Sequence, residues 1–209
     1  MHSGLLRILV VALIVLVAAM ALMPRRSVPP PEAATEWPQQ RALPVVQFTD
    51  QHGATFSSAD LAERFSLLFF GFTNCPDICP TSLAVLAQAM EQLAQSRTPA
   101  PRVVLISVDP DRDTPQALRE YLERFDPEFT GLTTSEASLA PLREALGVTV
   151  MKQSLGGAQY TVTHNPQVFV VAPNAHVIAT ISSASDPAAV VRDYRRIRAR
   201  FLSGAAASQ

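Results

Sequence analysis

The sequence predicts an α/β domain in which a mixed sheet carries helices on both faces. Two apolar runs of strand length, residues 65–72 and 102–108, show no polar alternation and so suit strands buried on both sides. Each leads into a segment with apolar residues at helical spacing. Two further short apolar runs, joined by a turn, precede a last amphipathic segment, so strands and helices alternate along the chain.

Taken in order, the chain opens with an unbroken apolar run over residues 8–23, 16 residues long, or 19 if Leu5 and Leu6 are counted across Arg7. At ~1.5 Å per residue the strict run spans roughly 24 Å against a hydrocarbon core of ~30 Å, which suits a short membrane anchor or the core of a signal peptide. Ala19-Met20-Ala21 matches a small-x-small cleavage site, and Arg7 before the run and Arg25 and Arg26 after it leave the orientation open. Either reading exports the remainder of the chain. No cysteine comes directly after the run, so a lipoprotein anchor is not expected. Residues 24–41, with Pro29, Pro30, Pro31 and Pro38, read as a semi-rigid tether, with Trp37 marking where the chain touches the domain. The domain itself is expected over residues 42–203, and residues 204–209 as a disordered tail.

Within the domain, residues 45–49 and 54–56 flank Asp50-Gln51-His52-Gly53 as a short hairpin, and residues 65–72 form the first buried strand. Residues 80–94 form a helix through Leu83, Val85, Leu86, Met90 and Leu93, with Pro80 suited to its first turn. A second buried strand over 102–108 leads to a helix over 115–125, capped by Asp113 or Thr114, and a third helix over 135–146 is ended by Gly147. Strands at 168–171 and 177–181 are joined by the Pro173-Asn174-Ala175-His176 turn, and residues 187–202 close the domain as a helix. This is the element order of a thioredoxin-like domain.

Charge narrows the function. A formal net charge of −1 with scattered basic residues excludes nucleic acid as the main partner. The only close basic group, Arg192, Arg195, Arg196, Arg198 and Arg200, shares its helix with Val190, Val191, Tyr194, Ile197 and Phe201, and reads as a solvated face.

Only two cysteines occur, Cys75 and Cys79, which excludes a multi-bridge framework and a four-thiolate zinc site within one chain. Both fall between a buried strand and a helix start, where the helix N-terminus favours the thiolate. Their spacing brings the sulfurs onto neighbouring positions if the loop already turns like a helix, leaving dithiol chemistry, a plain disulfide and two-point metal binding open. A defined metal site needs a further ligand from His2, His52, His164 and His176. His2 precedes the apolar run, while His52 and His176 lie in turns and read as surface residues. His164, just before a buried strand, is the candidate. Two thiolates and an imidazole form a soft set that favours Cu(I), holds Cu(II) when another ligand or water completes it, and leaves zinc as a competitor.

At these residues the sequence resembles the Sco/SenC family of membrane-tethered copper proteins that serve cytochrome c oxidase assembly. The resemblance rests on Gly71-Phe72-Thr73-Asn74-Cys75-Pro76-Asp77-Ile78-Cys79-Pro80, which is similar to the family's Cys-Pro-x-x-Cys-Pro loop, on Val108-Asp109-Pro110-Asp111-Arg112-Asp113-Thr114-Pro115, and on His164 downstream. It implies a thioredoxin-like fold and binding of Cu(I) and Cu(II) by Cys75, Cys79 and His164. It also implies either copper delivery or redox preparation of thiols for the binuclear copper centre, with the copper-bearing oxidase subunit or another copper chaperone as partner. The implied location is the inner membrane, through one N-terminal anchor, with the domain in the periplasm; cleavage would give a soluble periplasmic form.

The chain departs from the family pattern at Thr163, where an acidic residue commonly precedes the histidine, which touches a hydrogen bond behind the ligand or a partner contact. Pro166 stands where thioredoxin-like proteins carry a cis-proline beside the thiols. In the Asp109 to Pro115 segment, Asp113 or Thr114 caps a helix, Pro115 opens it and Arg112 pairs with a neighbouring acid, with partner docking as the other reading. The first functional expectation is a copper-binding assembly factor rather than an enzyme. The second is a thiol-disulfide oxidoreductase in which Cys75 attacks and Cys79 resolves. A peroxidase is disfavoured, because the Pro-x-x-x-Thr-x-x-Cys arrangement is not found before Cys75.

Overall fold

The computed structural model describes residues 4, 7, 10–16, 28–156, 159–182 and 186–207. From Ala34 onward the elements are β1 (Ala34–Ala42), β2 (Gln47–Asp50), β3 (Thr55–Ser57), a 3-10 turn (Ser58–Leu61), β4 (Ser66–Gly71), α1 (Ile78–Ala94), β5 (Arg102–Ser107) and α2 (Pro115–Leu122). They continue as β6 (Thr130–Thr133), α3 (Glu136–Leu146), β7 (Val150–Gly156), β8 (Gln159–His164), β9 (Gln167–Val171), β10 (His176–Ser182) and α4 (Pro187–Ala207).

The two unalternating apolar runs become the middle of the sheet. Every residue of β4 is buried, as is β5 after Arg102, and the two run parallel with Leu67 opposite Val103 and Phe70 opposite Ile106. The sheet has eight strands in the order β1-β10-β9-β4-β5-β6-β2-β3; β4, β5 and β6 are parallel and the remaining pairs antiparallel. Burying side chains such as Leu67, Leu68, Phe69 and Phe70 stabilises the fold by ~1.5–3 kcal/mol each. The arrangement is the expected thioredoxin-like one. β7 and β8 stand apart as a two-stranded hairpin.

Helix ends are set by local chemistry. The Thr114 side chain accepts from the Ala117 N–H, with Pro115 opening α2, so Thr114 and not Asp113 is the cap. Ser135 caps α3, and Gly147 ends it at φ 66°, a left-handed conformation that glycine adopts without strain. α1 starts at Ile78, ahead of the expected Pro80, because Cys79 and Pro80 fit the first turn, where the missing proline N–H costs no internal bond.

The segment expected as a tether over residues 24–41 is corrected by the structure: Ala34–Ala42 is β1, an edge strand paired with β10. Its proline is accommodated because Pro38 falls in the register shift between Glu36 and Arg41. The chain before β1 is also held. Asp193, fully buried, accepts from the N–H groups of Glu32 (3.1 Å), Ala33 (2.6 Å) and Ala34 (2.8 Å). Arg196 binds Glu32 at 2.7 Å and the Pro30 carbonyl, while Arg200 binds Glu36 at 2.9 Å and the Val28 carbonyl. The arginine face expected to be solvated thus clasps the incoming chain.

The tail expected over 204–209 is likewise shortened, since α4 runs to Ala207. Of the apolar run, residues 10–16 are described and helical; Ala19-Met20-Ala21, Arg25, Arg26, His2 and residues 208–209 lie outside the described residues. Among the described residues no helix is long and apolar enough to cross a membrane.

Burial works against the charge of Asp193, but its three backbone donors and Arg192 outweigh it and hold the carboxyl below its ordinary value. Asp193→Ala is therefore expected to cost about 2 kcal/mol at neutral pH, read as a lower denaturant midpoint. A carboxyl lowered in the folded state stabilises fully above its unfolded value of about 4, so the deficit should shrink as the pH falls below that value.

Candidate metal centre

The centre forms where β4 stops. The chain leaves Gly71, passes Phe72 and turns so that the Cys75 N–H donates to the Phe72 carbonyl at 3.2 Å. Asp77 occupies the N-cap of α1 but makes no side-chain cap bond. The N–H of Cys79, in the first turn, instead points at the Cys75 sulfur at 3.4 Å. One cysteine thus supplies the acceptor that opens the helix carrying the other. Cys75 is half-buried and Cys79 wholly buried, and both are free thiols.

Burying the Cys79 sulfur needs space at Gly71. A Cβ there would lie 3.0 Å from a Leu105 methyl, 3.0 Å from the Phe69 ring and 3.1 Å from the Cys79 sulfur.

His164 comes from the other half of the chain, at the end of β8. Its Nε2 lies 3.5 Å from the Cys79 sulfur, and its Nδ1 lies 3.3 Å from the Asn165 carbonyl. A carbonyl only accepts, so the proton belongs on Nδ1 and the Nε2 lone pair faces the thiol. The rings of Phe69 and Phe72 meet the imidazole edge to face at 6.0 and 6.1 Å. Cys75, His164, Pro76, Asp77, Ile78 and Thr163 are among the residues around a shallow depression of ≈ 240 Å³.

The expected pair of activated thiols is corrected for Cys79. Although it lies in the first helical turn, burial pushes its thiol far above the ordinary range, and the neighbouring Cys75 adds to this. Burial also lowers His164, favouring the neutral ring.

Among the described residues no group of three or more His, Cys, Asp or Glu is gathered closely enough to hold a metal ion. The structure instead brings Cys79 and His164 into contact, with Cys75 beside them at the helix start. The donors nevertheless suit a metal. Bonds of ~2.3 Å to sulfur and ~2.0 Å to nitrogen, meeting near the tetrahedral angle, separate the two atoms by ~3.5 Å, which is the Cys79–His164 spacing. His52 lies exposed in the turn where it was expected, whereas His176 is corrected from the turn to the first residue of β10, because the ladder with β1 begins at Ala42 opposite His176; its Nδ1 lies 2.8 Å from the Asn174 carbonyl. Thr163 is exposed at the rim, and the bond before Pro166 is trans, so no cis-proline stands beside the thiols.

Several supporting residues escape a reading of the sequence. Asp113 accepts from the Ser107 hydroxyl (2.6 Å), the Thr73 hydroxyl (2.6 Å) and the Thr73 N–H (3.2 Å), pinning the thiol loop two residues before Cys75. Burial nevertheless leaves its carboxyl raised. Asn165 accepts from the Thr149 N–H at 3.0 Å and donates to the Gly147 carbonyl at 3.3 Å, closing the hairpin base beside His164. Tyr160 donates to buried Asp109 at 2.6 Å. The only sequence signal for these contacts is the polar density of the Asp109 to Pro115 segment.

A family model described as SCO1/SenC matches residues 38–199. The chain is 39% identical over 137 residues to a putative copper-binding protein of Stutzerimonas stutzeri, covering 66% of this chain and 67% of that one. It is 43% identical over 102 residues to an SCO2-like protein of Rickettsia conorii, covering 49% of each, so the match spans about half the length of that relative. The crystal structure of Arabidopsis thaliana ScoI with copper bound has a TM-score of 0.70 at 29% identity, covering 74% of this chain and 97% of that chain.

In the metal-free protein at neutral pH, iodoacetamide is expected to label Cys75 and spare Cys79 until the fold is denatured. Peptide mass spectrometry checks this, and equal labelling of both thiols would contradict the burial of Cys79. His164 should titrate below its ordinary value of about 6.5 when followed by NMR. The folded state then binds that proton less readily than the unfolded state. Its contribution to stability is complete above about pH 6.5 and is lost as the pH falls through the lowered value.

Proposed function

The chain belongs to the SCO1/SenC family, and from that membership we propose that it carries copper as cargo, bound by Cys75, Cys79 and His164, for maturation of the binuclear copper centre of cytochrome c oxidase. Family members are linked to assembly of that oxidase. The observation that carries the reading is the 3.5 Å approach of His164 Nε2 to the Cys79 sulfur, with the Cys75 sulfur 3.4 Å from the Cys79 backbone nitrogen. Two sulfurs and one imidazole nitrogen suit Cu(I), and a further ligand or water suits Cu(II).

The two thiols divide the work. Cys79 is buried and keeps its proton, so loading releases a proton and leaves a deeply placed ligand. Cys75 stands at the opening, where an incoming ligand can replace it first. A shallow depression suits transfer by ligand exchange to the copper-bearing oxidase subunit or to another copper chaperone. The apolar run over residues 8–23 would hold the domain at the inner membrane, facing the periplasm, unless it is cleaved.

The unequal exposure of the thiols also supports a second reading, a thiol-disulfide reductase. Cys75 would attack a partner disulfide and release one partner thiol. Cys79 would then displace the other, leaving a Cys75–Cys79 disulfide and a reduced partner.

An anaerobic Cu(I) and Cu(II) titration of the chain from Val28 onward, which keeps the Asp193 contacts, separates these roles. One equivalent should bind to the native protein, more weakly after His164→Ala and not at all after Cys75→Ser with Cys79→Ser. Unchanged affinity and stoichiometry in His164→Ala would remove the imidazole from the ligand set. Sustained reduction of a model disulfide without copper retention would favour the second reading.

A further inference from the structure

The third ligand rides on the least integrated element of the described fold. The β7–β8 hairpin pairs with no strand of the main sheet, and Met151, Lys152, Gln153 and Ser154 are exposed. Tyr160, Val162 and His164 alternate along one side of β8, the side turned to the body, where Val162 is buried. Whatever fixes Tyr160 therefore fixes the rotation of the strand and the side to which His164 points.

Tyr160 is fixed from three directions by one loop. Its hydroxyl donates to Asp109 Oδ1 at 2.6 Å, its carbonyl accepts from Arg112 Nη1 at 3.2 Å, and the Arg112 guanidinium carbon lies 4.0 Å from its ring centroid. Arg112 Nε in turn binds Asp109 Oδ2. Lys152, on the facing strand, binds Asp111 of the same loop at 2.8 Å. Asp109 is wholly buried, and a buried carboxylate is tolerated only with such partners. Capping of α2 accounts for none of this, because Thr114 and Pro115 perform it.

We infer that Asp109, Arg112 and Tyr160 form a clip that positions His164 over the thiols and so sets how tightly copper is held. The inference rests on the proposed three-ligand set. The clip touches no metal; its residues are positioning residues. The same loop holds the thiol side through Asp113 and Thr73, so both halves of the centre are referenced to one support. A shift of ~1 Å in the hairpin is enough to lose the contact between His164 and Cys79, since ligand spacing tolerates only a few tenths of an ångström.

The test has a metal-free arm and a copper arm, both on the full chain with Tyr160→Phe, which keeps the ring, and Asp109→Asn. Without metal, amide hydrogen exchange in β7 and β8 should rise about tenfold while β4 and β5 stay protected, and the His164 ring resonances should shift. Unchanged hairpin exchange and ring resonances in Tyr160→Phe overturn the clip, whatever copper does. In the copper arm Tyr160→Phe should weaken binding about tenfold and have no effect when His164→Ala is already present. Equal weakening in both backgrounds overturns the inference, because the residue then acts elsewhere than through His164. If His164→Ala alone binds as tightly as the native chain, the ligand assignment fails, and the metal-free arm decides the clip.

Discussion

Space for one sulfur governs the centre. Cys79 has to be both the second residue of α1 and wholly buried, and the strand that delivers the chain to that helix ends immediately beneath it. The missing side chain of Gly71 leaves room there, since a Cβ would crowd the Leu105 methyl, the Phe69 ring and the sulfur at 3.0–3.1 Å. Because the sulfur is sunk into the core, its proton is held tightly. Because the first-turn N–H of Cys79 turns to Cys75, the second thiol is kept at the helix entrance and nearer to solvent. Unequal burial of two adjacent thiols is thus a packing result, and both chemical readings of the centre derive from it.

Three buried carboxylates tie this arrangement to distant chain. Asp109, Asp113 and Asp193 are fully buried, a placement that costs free energy unless each finds dedicated donors. Asp113 directs its acceptors to Thr73 and Ser107, Asp109 to Arg112 and Tyr160, and Asp193 to the backbone of Glu32, Ala33 and Ala34. Each joins segments that a core of aliphatic side chains would pack without orienting. Hydrogen bonding supplies the direction that the hydrophobic effect lacks. The sheet gives the molecule its stability, while the carboxylates decide how the loops at its edge are set.

Strands and helices with an apolar face were readable in the residues, because burial imposes a period of its own. β4, β5, α1, α2, α3, β9, β10 and α4 fall within a few residues of their expected places. The elements missed are those without such a period. β1 reads as a proline-rich linker, since Pro38 and its polar neighbours are tolerated only at a bulged sheet edge. β7 is exposed from Met151 to Ser154, β8 sets, of its described side chains, only Val162 fully into the core among polar neighbours, and β6 has four residues. The arginines of α4 read as solvated, because their partners Glu32 and Glu36 lie more than 150 residues away.

The candidate donors were identifiable from residue chemistry: a Cys-x-x-x-Cys loop at a strand-to-helix turn, and one histidine ahead of a buried strand. Their relation to one another was not. That His164 meets Cys79 at 3.5 Å, that its Nδ1 faces the Asn165 carbonyl, and that Cys79 is the wholly buried thiol, raised by that burial, are consequences of folding. So is the dependence of both halves of the centre on the loop from Asp109 to Asp113. Local order along a chain encodes periodicity and ligand type, because these depend on neighbouring residues. Distance, burial and proton affinity at the centre depend on the closure of chain between residues 85 positions apart, and only tertiary packing determines them.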